Sequence, residues 1–350
     1  MGLGIELAER GWIPDAVLRA AVRARVARLQ RRLAAGGIDA ESERQRTLRA
    51  QGAAGPVTAL AHRANEQHYE VPAEFFDLVL GPRRKYSSCW WPAGVDDLAG
   101  AEEAMLALTA ERAGIVDGHR ILDLGCGWGS FTLWAAERFP NSSVIALSNS
   151  HGQRVAIEAE AARRGLTNVR VHTADIADVC AGRAVVLADD ETVDRVVSVE
   201  MLEHVMNHRA VLSWIASHLS PGGEVFIHVF SHRTAGWRFA DDRHDWVGRW
   251  FFAGGTMPSD DLLLHEQHDL VVLDHWRLSG EHYERTLNAW LEQLDRRRDD
   301  VQRVLEPVYG RDLGRWVQRW RMFFIVSAEL WGYRNGRDFI VSHYRLGLRG

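Results

Sequence analysis

Cysteine is scarce. The chain of 350 residues has three, Cys89, Cys126 and Cys180, far apart and without CxxC spacing. That leaves no basis for a disulfide framework or a cysteine zinc site, and a reduced, cytoplasmic setting is expected. Nowhere do about 18 apolar residues run together, so no membrane span is expected. The opening MGLGIELAERGWIPDAVLRAAVRARVARLQRRLAAGG lacks the charged-then-apolar order and cleavage pattern of an export signal. Myristoylation would need Ser or Thr at position six, where Glu6 stands. No repeat or low-complexity tract is present.

What is present is 46% hydrophobic and 25% charged residues, enough for one large α/β domain and an appended region. The net charge is −5, with an Arg-rich N-terminal segment and a more acidic remainder, which argues against nucleic acid as a partner. The basic segment reads as a solvated helix face packed on the main domain, with contact to an anionic surface as the alternative. Tryptophan is the outlier: there are 14, many of them beyond Trp237. Such rings bury much apolar area and can also face a cation.

Residues 12–50 read as a helix, with Val17, Leu18, Val22, Val26, Leu29 and Leu33 at three-and-four spacing and Gly36-Gly37 as the stop; 51–57 read as a loop. From 115 to 230, short β-branched runs (HRILDLG, SSVIALS, VRVHTAD, DRVVSVE, GEVFIHVF) alternate with helical segments. Such alternation predicts a mainly parallel sheet covered by helices, with ligands outside the strand carboxyl ends. Past Phe230 the alternation fades into a Trp-, His- and Arg-rich region with helical stretches near 282–330. The expected organisation is an N-terminal helical extension over 1–60 and a cap over 61–114. A cofactor-binding α/β domain then covers 115–350 and includes a substrate lid over 231–335.

The most informative segment is Ile121-Leu122-Asp123-Leu124-Gly125-Cys126-Gly127-Trp128-Gly129-Ser130. A hydrophobic strand runs into glycines and then a helix, so the backbone can approach a ligand where a Cβ would collide. A GxGxG string alone also suits a dinucleotide site. Asp123 at the strand end favours a cationic amino group, and the turn is similar to the LDxGCGxG turn of class I methyltransferases, which use S-adenosylmethionine. The second strand ends in Ser148 and Asn149, with Gln153 beyond. These take the place of the usual ribose carboxylate through hydroxyl and amide hydrogen bonds. Asp175, followed by Ile176, stands where a carboxylate accepts from an adenine amino group, or where it merely ends a strand.

Further segments carry a resemblance. They are Asn65-Glu66-Gln67-His68-Tyr69-Glu70-Val71-Pro72 with Phe75-Phe76, Tyr86-Ser87-Ser88-Cys89-Trp90-Trp91, Glu200-Met201-Leu202-Glu203-His204, Phe252 to Ser259, His275 to Gly280 and Gly332-Tyr333-Arg334-Asn335-Gly336. From about residue 60 onward the chain resembles the cyclopropane-fatty-acid-synthase superfamily, most nearly its coclaurine N-methyltransferase branch. The resemblance implies a class I fold with a seven-stranded, mainly parallel sheet and S-adenosylmethionine as cofactor without a metal. By position, Tyr86 and Ser87 would close over the cofactor, Gly125 and Gly127 would cradle its methionine part, and Ser148 with Gln153 would hold the ribose. The likeness leaves room for a homodimer.

In the N-methyltransferases the ExxEH segment supplies the catalytic groups, here Glu200, Glu203 and His204. An aliphatic amine is mostly protonated at pH 7, so a base is needed. Glu203 and His204 would share one side with Glu200 if a helix begins there. They would form the base pair, with Glu200 orienting the cation. The bland alternative is a hydrated helix terminus, and a metal at Glu203, His204 and His208 lacks a completing ligand. The competing reaction is cyclopropanation of an unsaturated phospholipid, in which the synthases hold a bicarbonate with Cys, Glu, His and Tyr. Glu203, His228 and Tyr283 match that cage, but Ser88 stands at its cysteine position, with Cys89 shifted by one. The N- and C-terminal strings favour a small-molecule amine, and Trp320, Phe323, Phe324 and Trp331 are the candidate walls around it. A silent binding protein on the same scaffold is the remaining alternative.

Overall fold

Short apolar runs that can bury both faces, each followed by a helix, decide the architecture. The computed structural model describes residues 3–58, 71–188, 190–239 and 245–350; Asn65 to Glu70 of the N-terminal motif lie outside them. Helices α1 (Leu3–Glu9), α2 (Asp15–Leu33), α3 (Gly37–Ala53), α4 (Ala73–Val79) and α5 (Leu98–Arg112) precede the sheet. Then follow β1 (Arg120–Leu124), α6 (Ser130–Arg138), β2 (Ser143–Ser148), α7 (His151–Arg164), β3 (Val169–Thr173), α8 (Ile176–Cys180), β4 (Val193–Val199), α9 (His208–Ser217) and β5 (Leu219–His232). A two-stranded ribbon of β6 (Trp237–Arg238) and β7 (Thr256–Met257) flanks α10 (Trp246–Trp250). The chain ends with β8 (Leu270–Ser279), α11 (Gly280–Arg296), α12 (Arg298–Tyr309), α13 (Leu313–Trp331) and β9 (Phe339–Leu348).

The main sheet has seven strands in the order β3-β2-β1-β4-β5-β9-β8. Strands β1 to β5 pair in parallel, and β9 enters antiparallel between β5 and β8. The strand order reverses between β1 and β4, which opens a crevice at their carboxyl ends.

Two expectations about elements change. The single helix over 12–50 is two helices: Gly36 and Gly37 take left-handed φ values of 86° and 73°, and the chain re-enters a helix at once, running to Ala53 rather than looping from 51. The lid span 231–335 is not one insertion, because Leu270–Ser279 is the edge strand of the main sheet.

Helix α2 buries Leu18, Val22 and Val26, and its Arg19 and Arg23 bond the buried carboxylate of Glu329 on α13, at 2.8 Å for Arg19. The fully buried Trp290 of α11 and Trp320 and Phe324 of α13 build the aromatic core on that side. Among the described residues, no helix is long and apolar enough to cross a membrane.

Candidate active site

The turn after β1 is bent by three positive-φ glycines, Gly125, Gly127 and Gly129. Gly125 (φ 86°) and Cys126 both donate their N–H groups to the Leu147 carbonyl of β2, at 3.0 and 2.9 Å. A Cβ on Gly125 would sit 2.5 Å from Met201 Cγ, whereas one on Gly127 (φ 52°) would meet nothing within 4 Å. Among the described residues, Gly127 therefore faces open space, the cleft above the strand ends. Tyr86, Ser87, Asp123, Gly125, Gly127, Ser148, Asn149, Gln153, Asp175 and Ile176 all line it, as do Glu200 and His204.

The polar groups of this cleft are arranged for a ligand. Ser148 donates its hydroxyl to Gln153 Oε1 at 2.6 Å, and among the described residues the buried Gln153 amide nitrogen and the buried Ser130 hydroxyl have no partner. Buried donors are nearly always satisfied, so two orphans beside one glycine turn fit a nucleoside and amino-acid ligand in place of solvent. Asp123 accepts from Thr132 Oγ1 at 2.5 Å, and burial pushes its carboxyl up to about 7. A ligand ammonium would restore its charge. Asp175 spends one oxygen on its own helix: Oδ1 accepts from Ala177 N–H at 2.8 Å and caps α8. A helix-cap role is thus present alongside its position in the cleft.

Glu200 leaves β4 in a left-handed conformation (φ 48°), which is costly for a residue with a side chain and is kept only where the surroundings impose it. Its N–H donates to the His228 carbonyl at 2.8 Å. Its carboxylate accepts from Ser88 N–H at 2.8 Å, from the Tyr283 hydroxyl at 2.7 Å and from His228 Nε2 at 3.2 Å. Burial raises the Glu200 carboxyl above its usual range, and Lys85, the Ser88 amide, Tyr283 and His204 oppose that rise.

His204 lines the cleft with its ring 4.6 Å from that of Phe252. Burial pushes it down to about 4, so it stands as a neutral imidazole at pH 7. Glu203 does not face the cleft. Its Oε1 accepts from Phe230 N–H at 2.7 Å, and among the described residues its Oε2 has no partner and no hydrogen bond joins it to the His204 ring. The reason is local: residues 202–204 form a single 3₁₀ turn, whose three residues point in three directions, rather than the α-helical start that would place 200, 203 and 204 on one side. The expected Glu203–His204 base pair is therefore not formed.

None of the candidate substrate residues lines this cleft. His228 and Tyr283 are buried behind Glu200, which both of them hydrogen-bond, and Trp331 is a core ring that stacks on Tyr283 at 4.9 Å and meets Phe230 at 5.5 Å, with Phe230 in turn against Phe252. Trp320, Phe323 and Phe324 instead pack with Phe75, Phe76 and Phe251, one layer behind Tyr86. They do not line the cleft.

Sequence reasoning missed Lys85. It is 2% exposed, lines the cleft, and donates to Ser87 Oγ at 2.5 Å and to the Ser88 carbonyl at 2.8 Å. The buried Glu102 carboxylate places it by accepting from the N–H groups of Gly81, Arg83 and Lys85. Its position beside Tyr86-Ser87 was the only sequence signal. Among the described residues, no cluster of His, Cys, Asp or Glu could hold a metal.

The mycolic acid cyclopropane synthetase family model matches residues 58–331. The chain belongs to that family. It is 36% identical over 285 residues to the (S)-coclaurine N-methyltransferase of Thalictrum flavum subsp. glaucum, covering 80% of this chain and 77% of the relative. It is also 29% identical over 232 residues to the cyclopropane-fatty-acyl-phospholipid synthase of Escherichia coli (strain K12), covering 65% and 56%. A crystal structure of coclaurine N-methyltransferase bound to N-methylheliamine and SAH superimposes with a TM-score of 0.91 at 31% identity, covering 97% of both chains. The chain is a class I S-adenosylmethionine-dependent methyltransferase, with the seven-stranded sheet expected of that fold.

Proposed function

We propose that this methyltransferase methylates the nitrogen of a hydrophobic cyclic or aromatic amine in the cytoplasm. The carrying observation is the place of the Glu200 carboxylate. His228 and Tyr283, which the synthase likeness would assign to a bicarbonate, both spend their hydrogen bonds on Glu200. The chain thus supplies a fixed carboxylate where the competing reaction needs a mobile anion. The Thalictrum relative, an N-methyltransferase by name, supports the same reading.

The cofactor supplies an electrophilic methyl carbon on a sulfonium. Asp123 would hold its ammonium, Gly125 and Gly127 its methionine part, Ser148, Asn149 and Gln153 its ribose, and Asp175 and Ile176 its adenine, with Tyr86 and Ser87 closing over it. Glu200, fixed by the Tyr283 hydroxyl, would attract the amine as a cation and hold its nitrogen towards the methyl. His204, neutral and in the cleft, would first take the proton of the bound ammonium; the freed lone pair could then form the N–C bond as the methyl–sulfur bond breaks, its electron pair staying on the departing thioether sulfur. Phe252 holds the His204 ring, and burial lowers its basicity, a fall that the negative charge of Glu200 opposes. Glu203 acts from behind this pair, through its bond to the Phe230 amide.

The test is to incubate the purified enzyme with S-adenosylmethionine and parallel panels of cyclic amines and unsaturated phospholipids, with mass spectrometry as the readout. The expected result is a one-carbon gain on amines alone. In Glu200→Gln it should fall about 10²-fold with SAH binding retained. Gain on lipid without any amine product would overturn the proposal.

A further inference from the structure

Behind Glu200, strand register builds a row of polar side chains across the sheet. Val199 of β4 pairs with His228 of β5, His228 lies opposite His343 of β9, and His343 lies opposite Trp276 of β8. Both imidazoles are fully buried. His343 Nε2 is 3.0 Å from His228 Nδ1, and Arg112, at the end of α5, reaches His343 Nδ1 at 2.8 Å with its guanidinium 4.8 Å from the Trp276 ring. Arg112 is half-buried, so the row runs from Glu200 in the cleft to a partly exposed guanidinium at the C-terminal end of α5.

The chemistry of arginine gives this row a direction. A guanidinium only donates, so His343 Nδ1 must carry its lone pair and, in a neutral ring, its hydrogen sits on Nε2. That hydrogen is donated to His228 Nδ1, which leaves the His228 hydrogen on Nε2, pointing at Glu200 Oε1. A proton added to either ring would set a donor against a donor at His343 Nδ1 unless Arg112 swung away. We propose that Arg112 and His343 are positioning residues of a polarising relay, Arg112 to His343 to His228 to Glu200, in which every N–H points towards Glu200 and holds it as the ionised carboxylate.

Because arginine cannot accept a proton, the row does not carry the substrate's proton away; it biases the charge of its last member. Aligned hydrogen bonds in a low-dielectric interior reinforce one another, which is what a fully buried carboxylate next to Glu203 requires. The other groups facing the relay are Lys85, near both imidazoles and Glu200, and Tyr283, His204 and Glu203 around Glu200. Burial, with the positive charges of Lys85 and Arg112, keeps both rings neutral.

This inference rests on Glu200 acting as a carboxylate on the amine, and its first test needs no turnover. In the full-length enzyme labelled with ¹⁵N-histidine, His228 and His343 should both show the neutral pattern with Nε2 protonated and Nδ1 bare at pH 7. A protonated Nδ1 on either ring would overturn the relay. The second test is the pH profile of kcat. His343→Met and Arg112→Met should shift its acid limb upward by about one unit or more, as expected when a hydrogen bond to an ionised carboxylate is weakened. His343→Gln, whose amide can accept from Arg112 and donate to His228, should restore it. An equal fall in kcat at every pH, with the limb unmoved, would reduce both residues to packing. Arg112→Met, at the half-exposed end, serves if the buried His343→Met does not fold. The expected tautomers in an enzyme that methylates no amine would sink the proposed function alone, and amine methylation with the wrong tautomers would sink the relay alone.

Discussion

Asp123 makes cofactor binding depend on pH in a way that the structure quantifies. Its carboxyl sits near 7 without a ligand, because it is buried and has one hydroxyl donor, Thr132. An α-ammonium is best held by the ionised form, so the apparent Kd is the intrinsic one multiplied by 1 + 10^(7 − pH). That factor is about 33 at pH 5.5 and about 2 at pH 7, a tightening of about 16-fold over a window in which the α-ammonium keeps its proton. The sign follows from a raised acid: affinity is present above the folded value and is lost as pH falls through it. Isothermal titration of SAH into the enzyme at several pH values reads this directly. Asp123→Asn, whose side-chain oxygen can still accept from Thr132, should bind more weakly and with no pH dependence in this window. A flat Kd in the unmodified enzyme, or the same slope in the variant, would refute the reasoning.

Two of the turn glycines should separate stability from binding. Gly125→Ala combines a left-handed φ with a 2.5 Å approach to Met201 Cγ, so it should destabilise the fold by more than the roughly 1–2 kcal/mol of the backbone alone, read as a lower thermal unfolding midpoint. Gly127→Ala meets nothing within 4 Å and should unfold closer to the unmodified protein while losing SAH affinity, because its methyl enters the cleft. Equal losses of stability would contradict this. On the opposite side, Glu329→Gln weakens the docking of α2 onto α13 by lowering the charge that faces Arg19 and Arg23, and should cost about 1–3 kcal/mol in denaturant unfolding. No change there would show that packing alone holds the N-terminal helices.

What the sequence determined by itself is the part that depends on neighbours along the chain. The alternating runs from 115 to 230 specify strands and helices because burial on a sheet and on a helix has different periods. The glycines at 125 and 127 specify a backbone that can turn left-handed, and Asp123, Ser148 and Asp175 stand at strand ends because ligand groups meet a parallel sheet there. The tertiary structure decided the rest. Glu203 turns from the cleft because residues 202–204 close as one 3₁₀ turn against the Phe230 amide of another strand, which no local pattern announces. Lys85 reaches the cleft only because Glu102, on α5, gathers three backbone amides. His343 meets His228 because β9 enters the sheet antiparallel between β5 and β8. These are contacts between segments far apart in the chain, set by register and packing, and a linear pattern records neither.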